Sequence, residues 1–253
     1  MKLYLSGIVL LVGGWLASLY SQTIPLLPAS PFAPGEEMVF QIHYGPVKAG
    51  KAHFILHDTL VHLQSTTFFL LSVVGKTLPI WDWFYKVRDY YTSIADTHTL
   101  RPVYARRKIY EGGYRAFEKV FFHWNKGRIT VNDTHHIHTT YPVYDLLSIV
   151  YLGRRADFSR LQKGHVYSLH IILDGEIIPV GAEYIGIQTI MVNGRFYECF
   201  VVKPRLVPGR VFKEQDDMTV YIHTGPHREV VRIESAIFVG YIQADLIRFT
   251  PGP

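Results

Sequence analysis

The chain has 253 residues, of which 48% are hydrophobic and 19% charged, and its net charge is +5. That length suits one large domain or two small ones, and the apolar fraction excludes wholesale disorder. So modest a positive excess does not imply a nucleic-acid partner.

The amino terminus is Met1-Lys2, an apolar run over 3–19, and the polar exit Tyr20-Ser21-Gln22-Thr23. This layout predicts a secretory signal peptide over 1–22, cleaved near Ser21 or Gln22, with a retained anchor as the alternative. Its removal takes one Lys and no acid, leaving +4. No Cys lies at the junction, so a lipid thioether is not expected there. Export would place the protein in the periplasm, with secretion or an amino-terminal anchor as alternatives. The single cysteine, Cys199, allows no intramolecular disulfide and sits in an apolar strand-like run, which predicts a buried, inert thiol.

Pro25, Pro28, Pro31 and Pro34 predict an extended leader over 23–34, and one β-rich domain is expected over 35–253. Met38, Phe40, Ile42 and Tyr44 alternate with polar residues as a half-buried strand does. Gly45-Pro46 and Ala49-Gly50 then read as a turn, with the returning strand at Ala52, Phe54 and Leu56. Asn125-Lys126-Gly127, Asp174-Gly175 and Asn193-Gly194 mark further hairpins, because tight turns need positive φ. Strands are also expected at 218–223, 229–233 and 236–246. Leu146, Leu147, Val150 and Tyr151 have helical spacing, so a helix is expected over 144–151, with Asp145 near its start and Gly153 after it. The aromatic segment 78–91 predicts a short helix leading into a strand near Tyr90. Together these give a mainly β fold of ten to twelve strands. It would be a curved antiparallel sheet forming a barrel-like or sandwich domain with one or two short helices.

Several segments, in order, resemble the bacterial domain of unknown function 3108 family. They begin with Phe32-Ala33-Pro34-Gly35-Glu36-Glu37, Phe40-Gln41-Ile42-His43-Tyr44 and the Ala49-Gly50 pair. Asp89-Tyr90-Tyr91-Thr92-Ser93 with Pro102, then Tyr110-Glu111-Gly112-Gly113-Tyr114, continue the match. Asp145-Leu146-Leu147-Ser148 with Tyr151, Tyr184-Ile185-Gly186 and Val239-Gly240 complete it. The resemblance implies an exported, β-rich envelope protein of a two-membrane bacterium, and it brings no catalytic residues with it.

No nucleophile elbow, metalloprotease helix, phosphate loop or dinucleotide fingerprint is present. Asp145 and Ser148 read as helix-start and packing residues, and Glu36, Glu37, Asp89 and Glu111 as available carboxylates without an assigned role. No catalytic residue and no cofactor are therefore predicted, and binding is favoured over catalysis. Three weaker constellations stand out. Trp81, Trp83, Phe84 and Tyr85 read either as core or as the rim of an apolar site. His136 and His138 would share one face of a strand as two metal ligands lacking a third. Arg106, Arg107 and Lys108 form a basic run that reads either as a solvated strand face or as a patch docking anionic head groups, glycans or another envelope protein. The leading expectation is an exported binding or carrier module for a lipid-like or amphiphilic envelope component, with at most peripheral membrane contact. An assembly factor docking another envelope protein, and a metal-assisted envelope hydrolase, are the alternatives.

Overall fold

The computed structural model describes residues 24–205, 218–236 and 241–253; the expected signal peptide and Val239-Gly240 lie outside them. Strands β1 (Glu37–Tyr44), β2 (Val47–Leu63), β3 (Thr66–Thr77) and β4 (Arg88–Asp96) begin a meander. It continues through β5 (Pro102–Glu111), β6 (Tyr114–His123), β7 (Arg128–Val131) and β8 (His135–His138). Helix α1 (Ser148–Arg154) follows. A second meander comprises β9 (Val166–Leu173), β10 (Glu176–Val192), β11 (Arg195–Arg205), β12 (Met218–His223), β13 (Val230–Ala236) and β14 (Tyr241–Thr250). All fourteen strands form one antiparallel sheet, and the two meanders join where β1 pairs with β14.

The sheet curls like a barrel without closing, since β8 and β9 are its outer strands. The curl brings Ile172 of β9 into one buried cluster with Val120 and Ile129 of β6 and β7. Across the same gap, Arg107 on β5 pairs with Asp174 in the β9–β10 turn and with Glu118 at 3.1 Å. Residue 144 covers part of the β9 edge: the Tyr144 amide donates to the His170 carbonyl at 2.9 Å, and the Ile172 amide donates to the Tyr144 carbonyl at 2.9 Å. An edge so covered offers fewer free backbone groups to a second chain.

The expected turns form where their residues demand. Asp174-Gly175 and Asn193-Gly194 have φ of 52° and 74°, and of 50° and 78°, joining β9 to β10 and β10 to β11 as two-residue loops. The β1–β2 turn is tighter than the sequence suggests. Gly45-Pro46 alone makes it, with Tyr44 opposite Val47, and Ala49-Gly50 already lies inside β2. Gly50 is needed there for space, because a Cβ would lie 2.6 Å from the Lys76 carbonyl oxygen on β3. The segment 78–91 is a 3-10 turn over Pro79–Trp81 followed by β4.

The expected helix starts later than its periodicity implies. Asp145 Oδ1 accepts from the amides of Leu147 at 2.8 Å and Ser148 at 3.3 Å, and Ser148 Oγ accepts from the Asp145 amide at 3.0 Å. This reciprocal cap holds residues 145–147 as the entry and lets α1 run on to Arg154. Ser93 on β4 donates to the other Asp145 oxygen at 2.7 Å, tying the cap to the sheet. Burial still raises the Asp145 pKa against the lowering effect of these donors.

Helix α1 plugs the concave face. Leu147, Tyr151 and Leu152 belong to one core with Met38, Phe40, Leu56, Leu71, Ile222 and Val230. The leader is extended, as its prolines require, yet it is docked rather than free. The Leu27 amide donates to the Arg155 carbonyl at 2.9 Å, the Asp157 amide donates to the Pro25 carbonyl at 2.8 Å, and Phe32 is buried in the core. Packed structure therefore begins before Gly35. Beneath Phe32, Arg154 and Glu36 form a bidentate ion pair at 2.6 and 2.8 Å, with both side chains almost fully buried.

Cys199 is fully buried on β11, and burial, aided by Glu229 and Glu198, pushes its thiol up to about 12. Since the thiolate is the reactive form, the native protein is expected to resist iodoacetamide at pH 8 and to be alkylated once unfolded in urea. Rapid alkylation of the folded chain, followed by mass spectrometry, would contradict this placement.

Candidate functional site

At one end of the described sheet, the strands and the segment between β3 and β4 line an open cavity of about 590 Å³. Its walls are Ile42 and Tyr44 from β1, Val47, Ala49 and Gly50 from β2, and Ile242 from β14. Gly75 and Thr77 of β3 and Asp89 of β4 continue the wall, and Trp81, Phe84, Tyr85 and Val87 roof it. Glycine at 50 and 75 creates part of this room. A Cβ at Gly75 would lie in ordinary van der Waals contact with the Asp89 Cβ at 3.8 Å and would meet nothing closer.

The roof is pinned on both sides. Trp81 Nε1 donates to the Lys48 carbonyl at 2.8 Å, and the Leu78 amide donates to the Ala49 carbonyl at 2.9 Å. Asp82 accepts from Thr77 Oγ1 at 2.7 Å and is held by the Arg88 guanidinium, which keeps its carboxyl below the usual range. Farther along, the Gly112 amide donates to the Lys86 carbonyl at 2.8 Å. The Tyr85 ring lies against Gly112, where a Cβ would come within 2.7 Å of it.

Asp89 is the one acid in the cavity lining. It is buried, and its Oδ1 accepts from the Tyr110 amide at 3.0 Å. Glu111 stands beside it: burial, the Asp89 charge and a hydrogen bond to Asp89 all raise the Glu111 pKa. The neighbouring phenols respond in the same sense, with Tyr91 pushed up to about 12 and Tyr85 raised, chiefly by burial and then by these acids. These acids, with Thr77, Lys76 and His43, place polar groups beside mainly apolar walls.

The structure divides the expected site residues. Trp81, Phe84 and Tyr85 line the cavity, whereas Trp83 points to solvent with 82% of its surface exposed. Arg106 and Lys108 lie on the outer face of β5, and Arg107, one residue out of phase, turns inward to Glu118 and Asp174. His136 and His138 are exposed on β8, with His136 Nδ1 3.1 Å from Thr130 Oγ1. Among the described residues no three His, Cys, Asp or Glu side chains come together as metal ligands. Sequence reasoning did not anticipate the wall residues Ile42, Val47, Gly50 and Gly75. A glycine inside an apolar strand was the available signal, since it marks close approach or empty space.

Among solved structures, the chain is similar to a β-barrel-like protein of domain of unknown function DUF1849 from Brucella abortus. The two share 6% identity with a TM-score of 0.56, covering 87% of this chain and 99% of that one. A protein with a YmcC-like fold from Bacteroides fragilis aligns at 11% identity and a TM-score of 0.37, covering 90% of this chain and 100% of the other. No curated protein matches significantly. The first similarity extends over nearly the whole curled sheet and supports the barrel-like architecture. The family model for proteins of unknown function DUF3108 matches residues 39–247, a span that contains every residue lining the cavity, and the chain belongs to that family.

Proposed function

We propose that this protein is an exported binding or carrier module of the bacterial envelope, and that its end cavity receives the apolar part of an amphiphile. The observation that carries this reading is the 590 Å³ cavity, roofed by aromatic rings, at one end of the described sheet. Small-molecule sites typically span about 300–1,000 Å³ and combine apolar walls with a few placed polar groups. Here Asp89, with Glu111 beside it, supplies the polar group, suited to a hydroxyl, amide or ammonium near the buried end of the ligand. The apolar amino-terminal run supports export, and periplasmic residence follows from it for an envelope of two membranes.

The test is to purify the protein from its native envelope fraction and identify extracted small molecules by mass spectrometry, beside the Gly75→Leu variant. Gly75 lines the cavity without a positive φ, and a Cβ there would make only an ordinary 3.8 Å contact with Asp89, so leucine should extend into the cavity without moving the backbone. The expected result is a stoichiometric amphiphile on the wild type and its loss from a variant of unchanged thermal stability. An empty wild-type protein, or equal occupancy in both, overturns the reading.

A further inference from the structure

The end of the sheet that holds the cavity mouth also exposes a group of large apolar side chains. Ile80, Trp83 and Phe84 on the roof segment are 67%, 82% and 76% exposed, and Tyr114 at the start of β6 is 58% exposed. The rings of Trp83 and Phe84 pack edge to face at 5.9 Å, so they stand as one ridge. The Lys86–Gly112 hydrogen bond joins this segment to the β5–β6 turn, which places both at the same end.

The adjoining outer face of β4, β5 and β6 is basic. A shallow groove of about 540 Å³ is lined by Lys86, Arg88, Arg106, Lys108 and Arg115, with Tyr90 and Tyr110 between them and no acid in the lining. Asp82 neutralises Arg88. Among the described residues no carboxylate forms an ion pair with Lys86, Arg106, Lys108 or Arg115. Instead Arg115 lies over the Tyr110 ring at 5.1 Å and donates to the carbonyls of Gly112 and Tyr114. Pairing sets Tyr110 opposite Arg115 and Tyr90 opposite Lys108, so the cations start at the aromatic end and run back along the strands. Arg106 lies about 13 Å from Tyr110 at strand rise.

An apolar ridge rich in tryptophan and tyrosine, flanked by unpaired lysine and arginine, matches the chemistry of a bilayer interface. Rings of this kind settle at head-group level, and cations meet lipid phosphates just outside it. We infer that this end of the protein docks on an anionic phospholipid bilayer, inserting Ile80, Trp83 and Phe84 and holding the surface through Lys86, Lys108, Arg106 and Arg115. Charge complementarity decides the partner: a neutral apolar ligand would need the ridge but not the cations beside it. The inference stands on surface residues and does not depend on what the cavity holds.

The test uses the full chain, expressed for export and purified as the cell leaves it. It is sedimented with vesicles of phosphatidylethanolamine and phosphatidylglycerol, and with uncharged vesicles of phosphatidylethanolamine and phosphatidylcholine. Two surface variants are compared, I80S/W83S and K86Q/K108Q, neither of which alters a roof residue that touches the cavity. The expected result is binding to the anionic vesicles that weakens at high salt, and about 25-fold weaker in K86Q/K108Q. I80S/W83S should lose the blue shift of tryptophan emission, and both variants should keep the wild-type melting temperature. Equal binding by wild type and variants overturns the inference, since attachment then belongs elsewhere in the chain. Absence of vesicle binding overturns it too, and a crosslink to an envelope protein lost in the same variants would then mark a protein interface. Gly75→Leu should bind vesicles normally, so failure of docking and failure of the carrier reading are separable.

Discussion

Replacing Arg154 with methionine is expected to remove about 3–5 kcal/mol of stability, measured by urea unfolding. The reason is what the substitution leaves behind. Glu36 is 1% exposed, and without the guanidinium its carboxylate would stay buried with no charge opposite. Arg154 also donates to the carbonyls of His227 and Arg228 at 2.8 Å each, so the change uncouples α1 from the loop between β12 and β13. Replacing both partners, as E36M/R154M, should cost less than the single change, because no buried charge then remains. A single variant that unfolds at the wild-type urea midpoint would show that the pair does not hold α1 in the sheet.

The Phe32→Ala substitution should cost a similar amount, about 3–5 kcal/mol, although Phe32 lies in the proline-rich leader. Its ring packs edge to face on Phe69 at 5.9 Å and on Tyr151 at 5.0 Å, and the Arg154 guanidinium lies over it at 4.9 Å. Removal would open a cavity between β3 and α1 and admit water to the ion pair. The effects of Phe32→Ala and Arg154→Met should therefore fall short of additivity, since the two side chains touch. A leader variant with wild-type stability by urea unfolding would mean that the segment is only laid against the surface.

Local chemistry made much of the architecture legible. Two-residue hairpins at Asp174-Gly175 and Asn193-Gly194 follow from positive φ, which these residues accept more readily than most. Alternation at Met38, Phe40 and Ile42 set the face of β1 toward the core. The strand number was underestimated, fourteen against ten to twelve, partly because β7 and β8 have four residues each, too few for a clear period. The segment expected as one strand over 236–246 is described in two parts, β13 ending at Ala236 and β14 beginning at Tyr241.

The candidate site was legible only in pieces. Trp81, Phe84 and Tyr85 announced themselves by composition, but nothing local separates them from Trp83, which the roof turns outward. Arg106, Arg107 and Lys108 looked like one basic run, and strand alternation divides them between the two faces. Asp89 and Glu111 are 22 positions apart in sequence and became neighbours only when β4 met β5 beside the Val87–Glu111 bridge.

By itself the sequence determined the β-rich class, the tight turns, a helix near Tyr151 and an apolar amino terminus, because each rests on neighbours within a few residues. Tertiary structure alone decided that the leader is docked, that Arg154 finds Glu36 118 residues away, and that one end of the curled sheet holds a cavity. Those outcomes depend on strand register and sheet curvature, which bring distant side chains to one place and leave no mark in the local pattern.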